Sequence, residues 1–212
     1  TILVLKDGGS KALAAGSPLL AARRYEKAIL YCSLLFLKFH VGNLYFLKAQ
    51  HCNLQRKKNA IQWTPFLKAL VTIRLNLSMT LQKKDIADWN AAIEQARLAL
   101  EELKPFTSRP GHSISSKDQN VEEEKIAPES VFQEARELQV KAYFRLGTAQ
   151  YSSKNYTAAV TSFQRSIQLK KEYGGEPEEI VVRRLVEATR DKAKKQERMQ
   201  KRYKTSMQDV DS

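Results

Sequence analysis

Lys141 and Arg145 stand four residues apart in a helical stretch. Their cations therefore project from one face and can close together on a pair of carboxylates, Arg145 as a bidentate fork. A second set of cations, Arg183, Arg184, Arg190, Lys194, Arg198, Lys201 and Arg202, is interleaved with Val, Leu, Ala and Met. That is the pattern of a basic amphipathic helix, which can meet calmodulin, another acidic protein or an acidic surface. Residues 180–207 hold ten Lys/Arg against three Asp/Glu, so about half of the formal net charge of +13 is concentrated there. Bond-making chemistry has no comparable signal. His40, His51 and His112 share no helical face with a carboxylate or thiol at ligand spacing, and His51 and Cys52 point about 100 degrees apart on a helix. Glu122, Glu123 and Glu124 sit in a stretch with no periodicity to hold a catalytic pair. There is no GxSxG, phosphate-binding Gly loop or HExxH. The chain reads as a binding module, with no catalytic residue, metal site or cofactor site.

The elements that must position these cations are helices. Hydrophobic content is 42%, with only 8 Gly and 6 Pro in 212 residues, a composition that favours an all-α fold. In 141–169, Tyr143, Leu146, Gly147 and Tyr151 lie on one stripe, and Tyr156, Ala159, Phe163 and Ser166 continue on a second. A bulky residue at the fourth position, Leu-Gly at the seventh and eighth, Ala at the twentieth and an aromatic at the twenty-fourth resemble a tetratricopeptide (TPR) repeat. With Gly147 as the eighth position, Tyr143, Ala159 and Phe163 fill those places, and the small residues let two helix backbones cross closely.

One hairpin cannot bury its apolar face alone, so further repeats are expected. Gly16 and Ala28 have the separation of Gly147 and Ala159, Arg24-Tyr25-x-x-Ala28-Ile29 reads as the turn into a second helix, and Cys32 takes the aromatic place. Leu75-Asn76-Leu77-Ser78 with Trp89, Ala92 and Ile93 reads as a middle repeat with two extra residues in its turn. The expectation is three helix-turn-helix repeats over about 11–58, 64–105 and 128–173, with a mobile loop at 106–127 and a long basic capping helix and tail over 177–212. Ser17 and Pro18 either start a helix, as cap and first position, or kink one. Residues 28–58 form an extended helix or break at Gly42-Asn43, ending in Arg56-Lys57-Lys58, and Trp63-Thr64-Pro65 opens the next helix. Residues 1–10, strand-like at 2–5 and followed by Asp7-Gly8-Gly9, read as the end of a preceding domain or a linker.

TPR arrays that hold the Glu-Glu-Val-Asp terminus of heat-shock chaperones use a two-carboxylate clamp. It takes Lys at the fifth and Asn at the ninth position of repeat one, Asn at the sixth of repeat two, and Lys at the second with Arg at the sixth of repeat three. Lys141, Arg145 and Asn76 match three of these. In the expected register, repeat one offers Leu13 for the Lys and Ser17 for the Asn, with Lys11 nearby. Ser17 can donate one hydrogen bond but Leu13 cannot bind a carboxylate, which implies micromolar or weaker affinity.

Leu75-Asn76-Leu77-Ser78, residues 141–147 and the terminal Lys195-x-x-Arg198 with Tyr203-Lys204-x-x-Met207 resemble the C-terminal TPR domain of the large immunophilins. These are FK506-binding and cyclophilin-type prolyl isomerases that serve as heat-shock protein 90 co-chaperones. The resemblance implies a co-chaperone module that binds the C-terminal peptide of heat-shock protein 90 or 70, with an isomerase domain or its relic upstream. No apolar run reaches the eighteen or so residues that span a bilayer. Cys32 and Cys52, both in apolar helical contexts, suit a reducing compartment, so a cytoplasmic location is expected, with a nuclear one as the alternative. The aromatic interleaving of a single-stranded nucleic-acid binder is absent from the basic helix, which has only Tyr203 for stacking.

Overall fold

Among the described residues of the computed structural model seven α-helices follow one another: α1 (Ile2–Ala14), α2 (Pro18–Leu47), α3 (Cys52–Leu81), α4 (Trp89–Thr107), α5 (Glu129–Ser152), α6 (Tyr156–Glu172) and α7 (Glu179–Gln208). It describes the backbone of residues 1–47, 52–107 and 129–208, and the side chains of 1–35, 66–104, 107 and 133–202. The expectations for the 108–127 part of the loop and for the side chains of His40, His51, Cys52, the Arg56-Lys57-Lys58 cluster, His112, Glu122, Glu123, Glu124 and Tyr203 lie outside the described residues. Each helix packs on the next, and α1 touches α3, α3 touches α5 and α5 touches α7, whereas among the described residues the even-numbered helices touch only their neighbours in sequence. The odd helices therefore form one layer and the even helices the other.

The close approach within a hairpin has a measurable cause. A Cβ on Gly147 would lie 2.7 Å from the Phe163 ring, and a Cβ on Gly9 would lie 2.6 Å from the Tyr25 ring. Phe163 is fully buried and Tyr25 is 1% exposed, so neither ring has room to retreat. Gly9 and Tyr25 are sixteen residues apart, as are Gly147 and Phe163, and Ala21 then matches Ala159. The register expected for the first hairpin is thus corrected by seven residues. Gly9 holds the tight crossing, Tyr25 is its aromatic partner, and Cys32 is simply a buried neighbour. In the middle hairpin the same place is taken by Ser78, whose hydroxyl donates to the Ala92 carbonyl at 2.8 Å across the α3–α4 contact.

This register also overturns the expectation for the chain's start. Residues 2–5 are the first turn of α1 rather than a strand, and Ile2 and Leu5 pack on the core of the first hairpins with Ala12, Ala21, Ala28 and Ile73. Gly16 lies in the turn at φ +73, a left-handed conformation that glycine adopts without steric cost. The Ser17 N–H donates to the Ala12 carbonyl and the Gly16 N–H to the Leu13 carbonyl, the paired bonds that close a helix C-terminus with a left-handed residue. Pro18 then opens α2, where its missing N–H costs nothing. Helix α2 runs through Gly42-Asn43 without a break, and α3 runs through Trp63-Thr64-Pro65, so Pro65 does not open a helix but sits inside one, with one backbone hydrogen bond fewer.

Three apolar clusters run in series along the array. Among the described residues, the first joins α1, α2, α3 and α4 and takes in Ala149 of α5; the second places Val71, Leu75, Ala99, Leu103 and Ala142 between α3, α4 and α5; the third places Ala159, Val160, Phe163, Val181 and Ala188 between α6 and α7. A half-buried ion pair, Arg74 Nε to Glu102 Oε1 at 2.8 Å, ties α3 to α4, and Arg74 also donates to Gln95. Burial raises the Glu102 pKa against the opposing pull of Arg74. Burial also pushes the Cys32 thiol up to about 11, with the Glu102 charge adding to the shift and Arg74 opposing it.

Two outcomes follow. Gly147→Ala and Gly9→Ala each gain helix propensity of up to about 1 kcal/mol but drive a methyl group into a packed ring, which costs about 1–3 kcal/mol. Urea melts should show a net loss of stability in both, and unchanged midpoints would contradict the close crossings. At pH 8 a thiol of pKa about 11 is ionised in roughly one molecule in a thousand. The native Cys32 should therefore resist iodoacetamide and react only on unfolding, as read by peptide mass mapping.

Candidate functional site

The corrected register decides which side chains share a face. With the buried place of Gly9, Ser78 or Gly147 as origin and about 100 degrees per residue, Lys6, Ser10, Asn76, Lys141 and Arg145 all fall in one sector about 100 degrees wide on α1, α3 and α5. Lys6 and Ser10 take the fifth and ninth positions of the first hairpin, where Leu13 and Ser17 were expected. Ser17 instead lies exposed in the α1–α2 turn, and Leu13 packs on the core. Lys6 and Ser10 were missed because Gly16 and Ala28 mimic the spacing of Gly9 and Ala21. The aromatic sixteen residues after the glycine distinguishes the two registers, since only Gly9 has one, Tyr25.

Each of these side chains has a defined environment. Lys6 is half-buried, with its ammonium 3.4 Å from the Asp7 carboxylate. The Ser10 hydroxyl donates to the Lys6 carbonyl at 3.2 Å and can then accept from the Tyr25 hydroxyl at 3.0 Å. Asn76 is half-buried, and its backbone carbonyl accepts from Thr80. Lys141 is exposed at the rim of a recess of about 30 Å³ whose walls include Val140, Phe144, Glu178 and Val181. Arg145 is half-buried with its guanidinium 5.9 Å from the Phe144 ring. Burial pushes its pKa down, and the negative charge of Glu178 pulls the other way. The guanidinium keeps its charge regardless, so this arrangement holds a desolvated cation beside an apolar recess, opposite a carboxylate at the entry to α7. Such a cation binds a carboxylate more strongly than a solvated one.

The basic terminal helix is a different surface. Val181 and Ala188 are buried against α6, and the Tyr151 hydroxyl donates to Asp191 Oδ2 at 2.7 Å, fastening the middle of α7 to α5. Its bond to Asp191 is the main cause that lifts the Tyr151 phenol to about 12. Beyond that point, residues 193–202 are all exposed. Arg184 pairs with Glu187 at 2.8 Å, Lys201 with Glu197 at 2.9 Å and Lys194 with Asp191 at 3.9 Å, whereas Arg183, Arg190, Arg198 and Arg202 make no ion pair among the described residues. Val182, Val186 and Met199 are exposed along the same helix. No helix among the described residues is long and apolar enough to cross a membrane. Compared with protein-family models and with curated proteins, the sequence matches none of either.

Proposed function

We propose that this chain is a TPR-type module of the large-immunophilin kind that binds the acidic carboxy terminus of a heat-shock chaperone, of heat-shock protein 90 or 70 type, in the face formed by its odd helices. The observation that carries the reading is the shared sector of Lys6, Ser10, Asn76, Lys141 and Arg145. The first hairpin supplies a cation and a hydroxyl, the second an amide, and the third two cations. A chain-end carboxylate and an aspartate side chain need several donors converging on two anionic groups, and these five residue types provide them. With Lys6 in the place where Leu13 was expected, the argument for weakened affinity no longer applies.

A peptide ending in Glu-Glu-Val-Asp should bind with a Kd on the order of a micromolar or tighter. Lys6→Ala, Lys141→Ala and Arg145→Ala should each weaken it by about 1.5–3 kcal/mol, and Asn76→Ala by about 1 kcal/mol, in calorimetry at fixed salt. Glu178→Gln removes the carboxylate that competes for Arg145 and should tighten binding. Peptide binding that is absent, or unchanged in a Lys141→Ala, Arg145→Ala double variant, would sink the proposal. Arg183 and Arg190 of α7, which make no ion pair among the described residues, support a second reading, a scaffold that binds calmodulin or another acidic protein through that helix. Capture of calmodulin by the full chain, lost on Arg183→Gln with Arg190→Gln, would favour it.

A further inference from the structure

We infer that the recess between the α5–α6 turn and the middle of α7 is a site for a clustered-phosphate group, one ligand headgroup bearing two or more phosphates. The cavity measures about 360 Å³ and is lined by Lys154, Tyr156, Asp191, Lys194, Lys195 and Arg198. That volume lies at the lower end of the roughly 300–1,000 Å³ common for small-molecule sites. Its cations come from two separate elements, Lys154 from the turn and the other three from α7, so their convergence is made by the fold and not by one run of sequence.

The charges are arranged for an anion. Four cations face one carboxylate, and that carboxylate, Asp191, is already engaged by the Tyr151 hydroxyl at 2.7 Å and lies 3.9 Å from Lys194. Lys195 bridges the two walls, its ammonium donating to the Lys154 carbonyl at 3.3 Å and sitting 5.9 Å from the Tyr156 ring. Lys154 and Arg198 make no ion pair among the described residues, although the adjacent Glu197 carboxylate acts on Arg198, and the four cations of the lining exceed its one carboxylate by three charges. A single carboxylate would neutralise one of them. A phosphate monoester brings about −1.5 to −2 and three acceptor oxygens, so two such groups match the excess.

Backbone geometry adds a second, independent mark. Three turns of this array close with the same pair of hydrogen bonds, and the left-handed residue in them is Gly16, Gly174 and, at the recess, Lys154 with φ +61. Two use the residue that adopts this conformation freely, and the third holds a lysine there at a cost in stability. Among the described residues Ala87, in the α3–α4 turn at φ +48, is the other non-glycine residue held this way, and what sets Lys154 apart is that its side chain lines a basic cavity.

The experiment titrates the full chain with inositol trisphosphate at fixed ionic strength, with inorganic phosphate as the single-anion comparison. The trisphosphate should bind, inorganic phosphate at least tenfold more weakly, and Lys154→Gln with Arg198→Gln should reduce trisphosphate affinity about tenfold or more. Arg23→Gln with Arg97→Gln removes the same charge from exposed positions elsewhere and should leave the affinity within about twofold. Lys154→Gly should raise the melting midpoint while weakening trisphosphate binding. Vesicles carrying a bisphosphorylated phosphoinositide separate the sources: capture through the same residues assigns a lipid headgroup, and soluble binding without capture assigns a free phosphate ester. The inference is overturned if the trisphosphate does not bind, if inorganic phosphate binds equally well, if both double variants lose affinity alike, if Lys154→Gly stabilises without loss of affinity, or if charge-matched phosphatidylserine vesicles are captured equally.

Discussion

The contact between a glycine and an aromatic ring sixteen residues later sets the geometry of this molecule. Where the ring of Phe163 lies on Gly147, and that of Tyr25 on Gly9, the two helices of a hairpin cross without a side chain between them. The crossing puts one helix of each pair into the odd layer and the other into the even layer. Every later property depends on that sorting, because polar side chains on the odd helices then recur in one direction, hairpin after hairpin. The middle hairpin reaches a similar approach with Ser78, whose hydroxyl would be an unsatisfied polar group in a core but finds the Ala92 carbonyl of the facing helix.

Much of this was legible in the sequence. Helix content, the third hairpin, the middle hairpin with its longer turn and the basic terminal helix all follow from apolar spacing and from where glycine and proline fall. The first hairpin was not, and the reason is physical. Asp7-Gly8-Gly9 has the composition of a turn, and residues 2–5 are β-branched and aliphatic, so local propensity argues for a strand and a bend. Tertiary packing overrides it, since Tyr25 needs a residue without a side chain at Gly9 and the apolar side chains of Ile2 and Leu5 find the core. Pro65 illustrates the opposite limit. A proline that would ordinarily begin a helix is carried inside one.

The candidate site shows the same division. Asn76, Lys141 and Arg145 could be placed because their hairpins were read in the right register. Lys6 and Ser10 could not, because a seven-residue slip moves a helix by almost two turns and leaves Ser17, a turn residue, in the place of Ser10. The environment of Arg145 had no sequence signal at all. Glu178 lies thirty-three residues further on, past a second helix and a turn, and only the packing of α7 brings its charge near.

The three apolar clusters follow one another along the array and have no residue in common, Ala149 of α5 belonging to the first. Such an assembly has no single nucleus whose loss melts the whole; its parts hold together as links of a chain do, each through the next. Helix α7 is held by Val181, Leu185 and Ala188 and by the phenol of Tyr151, and its residues 193–202 are exposed. Fraying should therefore begin at the basic end and travel inward one hairpin at a time, with the protected amides of α3 and α4, flanked on both sides, the last to exchange with solvent.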